Sequence, residues 1–243
     1  MTTLPPWLAS HADLPFGALI DHTLLKPEAG ERDILMLCDE AVQLGLGTVC
    51  VNGQWVGVAA RKLQGSGIRV AGVVGFPLGA SGRASKVAEA QALVAAGATE
   101  LDMVQSIALA REGQWSPLRE ELEAVITAVP GCPVKVILET AALDPESIAP
   151  ACQAARAAGA AFVKTSTGFH PAGGATQEAV RAMRAAVGAS LGVKASGGVR
   201  TPDAALLMLR AGADRIGTSA AASWTTLVGP GGPTVAKALA PAS

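Results

Sequence analysis

The sequence predicts an α/β fold, a single-domain (β/α)8 barrel of the TIM type, on three observations. Eight short β-forming runs succeed one another along 243 residues, their starts lie 22 to 34 residues apart, and Ala- and Leu-rich stretches of helical spacing fill the gaps. That interval is the length of one strand, one helix and two short loops, so consecutive strands should be parallel. Eight such units suit a closed barrel, with an open doubly wound sheet as the architectural alternative.

Taken in order, residues 1–17 form an extension ahead of the first run, and they lack the basic start and apolar stretch of a secretory leader. The first strand is "ALID" (18–21), the second "TVCV" (48–51) and the third "VAGVVGF" (70–76). Between residues 85 and 97, "SKVAEAQALVAAG" places Val87, Ala90, Leu93 and Val94 at helical spacing and ends on Gly97 as a stop. "ELDMV" (100–104) and "VKVILET" (134–140) are the next strands. A helix over 142–159 closes on Gly159, followed by "FVKTS" (162–166) and "GVKAS" (192–196). "TPDAALLMLRAG" repeats the helix pattern before Gly212, "RIGTS" (215–219) is the last strand, and residues 229–243 are a Gly- and Pro-rich tail. No linker divides the chain, so residues 1–243 count as one domain.

Composition narrows the function classes. The formal net charge of -1 removes the electrostatic reason to expect nucleic acid or an anionic membrane surface. No run approaches the roughly 18 apolar residues of a spanning helix, and a cytoplasmic protein acting on small molecules is expected. Cys38, Cys50, Cys132 and Cys152 form no CxxC pair, and His11, His22 and His170 never fall at metal-ligand spacing, so the thiols are expected as reduced core residues. Trp7 and Leu8, or residues 55–58, suit either an interface in a homo-oligomer or a core, and the oligomeric state stays open.

Polar residues inside strand runs carry the chemistry, because barrel active sites sit at the C-terminal strand ends. Lys164, Lys194 and Asp102 each stand third in their runs, whereas Lys135 stands second. Lys164 and Lys194 are one unit apart and so lie on adjacent strands, where two ammonium groups repel and one sheds its proton more easily. A neutral lysine attacks carbonyls, and Asp102 adds a proton acceptor in the same layer. The structural alternative is that the lysines snorkel out or pair with Asp102 or Glu139. Asp21, Lys26 and Asn52 also end early strands and look more structural than catalytic.

"SGGVRTPDAALL" (196–207) and "GTSAAASW" (217–224) follow the last two strands and lead into expected helices. Backbone N–H groups at such starts bind phosphate, with Arg200 and Ser219 as added donors, against the alternative of ordinary turn glycines.

The ordered series "IDHTLLKP", "TVCVN", "VVGFPLG", "ELDMV", "KVILET", "FVKTSTGF", "VKASGGVRT" and "RIGTS" resembles the deoxyribose-phosphate aldolase family across nearly the whole chain. The resemblance implies a (β/α)8 barrel and a class I aldolase that needs no metal or other cofactor. Such an enzyme cleaves 2-deoxy-D-ribose 5-phosphate reversibly to D-glyceraldehyde 3-phosphate and acetaldehyde. It further implies Lys164 as the Schiff-base lysine and Asp102 with Lys194 as the proton relay. Phosphate would be held around Gly168, Gly197, Gly198, Gly217 and Ser219, with Thr165 and Thr167 orienting substrate. The chain departs from the family at residues 105–113, where "QSIALAREG" replaces the usual Ile-Asn-Ile-Gly and Leu-Lys-Ser-Gly, and it contains no tyrosine, which some members use in proton transfer. The competing expectations are a sugar-phosphate isomerase and a silent binding barrel.

Overall fold

In the computed structural model, which describes residues 4–240, the alternation of strands and helices runs the length of the chain. The first half comprises β1 (Ile20–Leu24), α1 (Glu31–Leu44), β2 (Thr48–Val51), α2 (Val56–Lys62), β3 (Arg69–Val74), α3 (Arg83–Ala95), β4 (Glu100–Val104), α4 (Ile107–Arg111) and α5 (Trp115–Ala128). The second comprises β5 (Val134–Ile137), α6 (Pro145–Ala157), β6 (Phe162–Lys164), α7 (Gln177–Val187), β7 (Gly192–Ser196), α8 (Pro202–Ala211), β8 (Arg215–Thr218) and α9 (Val235–Leu239). The strands pair in chain order, all parallel, and β8 closes onto β1. Closure removes the open doubly wound alternative.

Strand ends differ from expectation where the backbone turns early. Residues Phe16–Leu19 make a 3-10 turn behind Pro15, so β1 begins at Ile20 rather than residue 18. β3 stops at Val74 because Gly75 takes a φ of 61°, and β5 stops at Ile137, two residues before Glu139 takes a φ of 55°. A left-handed non-glycine residue costs about 1–3 kcal/mol, and the buried Glu139 carboxylate is tied down by the Thr167 N–H and hydroxyl. β6 is short, although Thr165 N–H still donates to the Lys194 carbonyl at 3.0 Å. No helix follows β8 directly: Ala221–Ser223 is a single 3-10 turn, and the Trp224 indole draws the chain back by donating to the Arg200 carbonyl.

Alternation along each strand sorts the core into two layers. Val49, Leu101, Met103, Val136, Val163, Val193 and Ile216 face outward and are buried beneath Ala90, Leu122, Val125, Ala151, Val180 and Met183 of the helices. Cys38 and Cys152 belong to this helix layer as free thiols, and burial pushes them up to about 11 and about 12 respectively. The extension and the tail pair with each other: Phe16 N–H donates to the Pro233 carbonyl and Val235 N–H to the Leu14 carbonyl. Residues 1–3 and 241–243 of those expected segments lie outside the described residues. Trp7 packs on the core and donates to the Leu209 carbonyl, and Leu8 is fully buried. Among the described residues no helix is long and apolar enough to cross a membrane.

Buried ion pairs also stand outside the barrel, Arg184 with Asp214 and Lys86 with Glu121. Lys86 of α3 donates to Glu121 of α5 at 2.9 Å and to the Val104 carbonyl at 3.0 Å, while the same Glu121 oxygen accepts from Ser106 N–H. Two helices are thereby clamped onto the C-terminal end of β4. Burial pulls the Lys86 ammonium down and Glu121 works against it. Removing one partner of a buried pair strands the other charge, at about 3–5 kcal/mol. Glu121→Ala should therefore lower the urea midpoint strongly and Glu121→Gln less so; an Ala variant as stable as the parent would show that the clamp contributes nothing.

Candidate active site

Parallel register turns sequence spacing into neighbours. Lys164 lies beside Lys194, and Asp102 beside Lys135. With Asp21, Glu100 and Arg215 these side chains face the barrel axis and are all nearly or fully buried. Asp102 is the hub. Its Oδ1 accepts from Lys135 Nζ at 2.9 Å, and its Oδ2 accepts from Lys164 Nζ at 2.8 Å and Lys194 Nζ at 2.6 Å. Lys194 also donates to Asp21 at 2.5 Å, Lys135 reaches Glu100 at 2.6 Å, and Arg215 bridges Asp21 and Glu100.

The electrostatics follow from this wiring. Burial alone would raise the Asp102 carboxyl, but Lys135, Lys164 and Lys194 outweigh it and hold the group well below the usual carboxylate range. Arg215 and Lys194 do the same to Asp21 against its burial. Burial would depress the Lys194 ammonium, yet Asp102 and Asp21 hold it above the ordinary lysine range.

The sequence reading grouped Asp102, Lys164 and Lys194 correctly in space and set Lys135 apart, because strand staggering makes ordinal place a poor measure of depth. Asp21, read as structural, is bonded directly to Lys194. The structural alternative holds in its Asp102 half, since Lys164 and Lys194 both pair with Asp102, whereas Glu139 pairs with none of the lysines. Arg215 and Glu100 were missed. Their signal was a charged residue opening an otherwise β-forming run, a pattern usually read as a solvated strand end.

The expected phosphate residues divide. Gly168, Gly197 and Gly198 lie in the loops after β6 and β7, all with φ between 82° and 87°. Ala175 N–H donates to the Gly197 carbonyl, locking the two loops together. Arg200 and Ser219 are exposed, and Thr201 caps α8 by accepting from Ala204 N–H. Gly217, shared between the expected last strand and the Gly-rich segment after it, lies inside β8. A Cβ there would come within 2.6 Å of Ser196 Oγ and 3.0 Å of Lys194 Cε, so glycine makes room for the lysine. The hydroxyls of Thr165 and Thr167 already have protein partners: Thr165 donates to the Ser196 carbonyl and Thr167 to Glu139. In the departing segment, Gln105 is buried and donates to the Leu138 carbonyl, and Ser106 caps α4.

The other half of the interior is apolar. Leu25, Cys50, Ala71 and Val73 form a small buried cluster with Phe76 packed on it, and Phe76 meets Phe169 edge to face at 5.3 Å between ring centroids. A cavity of about 1080 Å³ opens at the opposite, N-terminal end, lined by Trp7, His11, Arg69, Arg184 and Arg215 among others. Arg184 and Arg215 there are engaged by Asp214, and by Asp21 and Glu100, and barrel chemistry belongs to the other face.

Comparison with known proteins bears on this cluster. Residues 18–223 match the DeoC/LacD family aldolase. A deoxyribose-phosphate aldolase of Kocuria rhizophila is 52% identical over 204 residues, covering 84% of this chain and 92% of that one. One of Corynebacterium diphtheriae is 53% identical over 206 residues, covering 84% and 93%. A tetrameric deoxyribose phosphate aldolase structure from Aeropyrum pernix superposes with a TM-score of 0.78 at 36% identity, covering 85% of this chain and 87% of that one. The match spans the whole barrel from before β1 to the turn beyond β8, and the chain belongs to the DeoC/LacD aldolase family.

Proposed function

We propose that the protein is a class I deoxyribose-phosphate aldolase, cleaving 2-deoxy-D-ribose 5-phosphate reversibly to D-glyceraldehyde 3-phosphate and acetaldehyde through a Schiff base on Lys164. The observation that carries this is the unequal sharing of charge in the interior. Lys135, Lys194 and Arg215 each contact two or more carboxylates, whereas Lys164 contacts Asp102 alone and shares it. Lys135, Lys164, Lys194 and Arg215, with Arg69 reaching Glu100 from the rim at 3.2 Å, outnumber Asp21, Glu100 and Asp102. A Schiff base needs an amine free to add to a carbonyl, and Lys164 is the lysine of this cluster held by a single carboxylate.

Lys164 Nζ would add to the C1 carbonyl and expel water to form an iminium. Cleavage of C2–C3 sends its electron pair into the iminium, giving an enamine. The C3 hydroxyl proton passes through a bound water to Asp102 with Lys194. Glyceraldehyde 3-phosphate leaves; the enamine takes a proton at C2, and hydrolysis frees acetaldehyde and Lys164. The phosphate is assigned to Gly168, Gly197, Gly198, Arg200, Ser219 and the start of α8, where left-handed backbone and a helix N-terminus favour an anion. Gly217, Thr165 and Thr167 serve by shaping: the glycine leaves space for Lys194, and the threonines fix the loops. A cytoplasmic homo-oligomer acting on soluble sugar phosphates completes the reading, in line with the tetrameric relative.

Purified protein should release both products from 2-deoxyribose 5-phosphate, and Lys164→Ala should lower kcat by at least about 10³-fold, as expected for loss of a covalent nucleophile. Substantial cleavage by that variant would sink the reading. Lys194→Leu removes the cation bonded to Asp102 and Asp21, so kcat should fall by about 10²-fold or more while the borohydride adduct on Lys164 still forms; an unchanged kcat removes Lys194 from the relay. Gly217→Ala pushes on Lys194 Cε, and a displacement near 1 Å costs about 10²-fold. Its loss should fall on kcat more than on KM, and unchanged kcat would show that Lys194 need not be held where it is.

A further inference from the structure

The interior at the level of Asp102 is two different surfaces. From β4 to β8 it is ionic. On β2 and β3 the inward residues are Cys50, Ala71 and Val73: Cys50 is registered against Ala71, and Val73 against Asp102. Leu25 and Phe76 close this wall from the loops above. Cys50, Ala71 and Val73 are each at most 4% exposed. Cys50 Sγ lies 4.0 Å from Asp102 Oδ2, the oxygen that receives both Lys164 and Lys194. The wall therefore begins within one side chain of the reacting amine.

We propose that the Cys50–Ala71–Val73 wall selects the aldehyde donor, admitting a donor carbon that bears only hydrogens and turning away one that bears a hydroxyl. This rests on the aldolase reading, in which the carbon two bonds from Lys164 Nζ becomes the enamine carbon. A hydroxyl there would need a hydrogen-bond partner or would be buried without one. Asp102 Oδ2, the carboxylate oxygen nearest the wall, already accepts from two ammonium groups. Ala71 and Val73 offer no partner, and a thiol is a weak one. Lys194 also contacts Asp21 and Asp102, and the relay uses it for the hydroxyl on the next carbon. The wall thus gives the site a physical reason to prefer acetaldehyde over glycolaldehyde, and hence a 2-deoxy sugar over its 2-hydroxy counterpart. An apolar surface rejects an added hydroxyl by about 10²-fold.

The test uses the full chain, glyceraldehyde 3-phosphate as acceptor, and acetaldehyde or glycolaldehyde as donor, with kcat/KM for each donor read from product formation by mass spectrometry. The parent should favour acetaldehyde by about 10²-fold. Val73→Thr keeps the side-chain shape and supplies a hydroxyl, and Cys50→Ser supplies one beside it. The glycolaldehyde-to-acetaldehyde ratio should rise about tenfold in one or both, the worth of one hydrogen bond. Ala71→Ser provides the same group with the smallest change in volume should the others fold poorly. A parent ratio within a few-fold of one overturns the proposal without any variant. So does an unmoved ratio in folded variants that still form a borohydride-trapped acetaldehyde adduct on Lys164. Absence of that adduct in the parent would instead overturn the aldolase reading itself.

Discussion

One carboxylate organises the interior of this barrel. Asp102 accepts from Lys135 on one oxygen and from Lys164 and Lys194 on the other, with Asp21, Glu100 and Arg215 completing the set from below. Moving this many charges out of water is expensive, and buried ion pairs seldom repay their desolvation as net stability. A well-packed apolar filling would serve the fold as well. What the ions supply is a graded set of cations, in which Lys194 is held by two carboxylates while Lys164 has one shared partner.

Much of this was legible in the chain. The barrel followed from eight evenly spaced β-forming runs, and the helix stops at Gly97, Gly159 and Gly212 all fall where left-handed backbone ends a helix. Lys164, Lys194 and Asp102 could be found because a charged residue in the middle of a strand run is conspicuous. Lys135 was visible but misplaced, since stagger between strands is set by closure of the whole barrel and not by any local pattern. Arg215 and Glu100 were invisible for another reason: each opens its strand, where charge normally means solvent, and only the closed barrel turns those positions inward. Gly217 illustrates a third limit. A glycine at a strand end suggested a phosphate-binding backbone, whereas here the missing side chain makes room for Lys194 on the neighbouring strand.

The division of the interior into an ionic and an apolar half also frames the final proton step. The chain has no tyrosine, so in the proposed reaction the enamine carbon would take its proton from water or another group, beside the apolar Cys50–Ala71–Val73 wall. The segment after β4 that departs from the family is bound into the frame rather than into the cluster. Gln105 is anchored to the carbonyl of Leu138, and Ser106 to the Lys86 and Glu121 clamp through Glu121. The position of Asp102 is thus supported from behind by contacts that the family motif alone would not reveal.

The most direct test of the charge-sharing account is site-resolved borohydride trapping with acetaldehyde across a pH series, the adduct located by peptide mass spectrometry. The account predicts efficient labelling at neutral pH on the peptide bearing Lys164, with Lys135 and Lys194 unlabelled. Labelling that settles on Lys135 or Lys194, or that fails altogether, would contradict it.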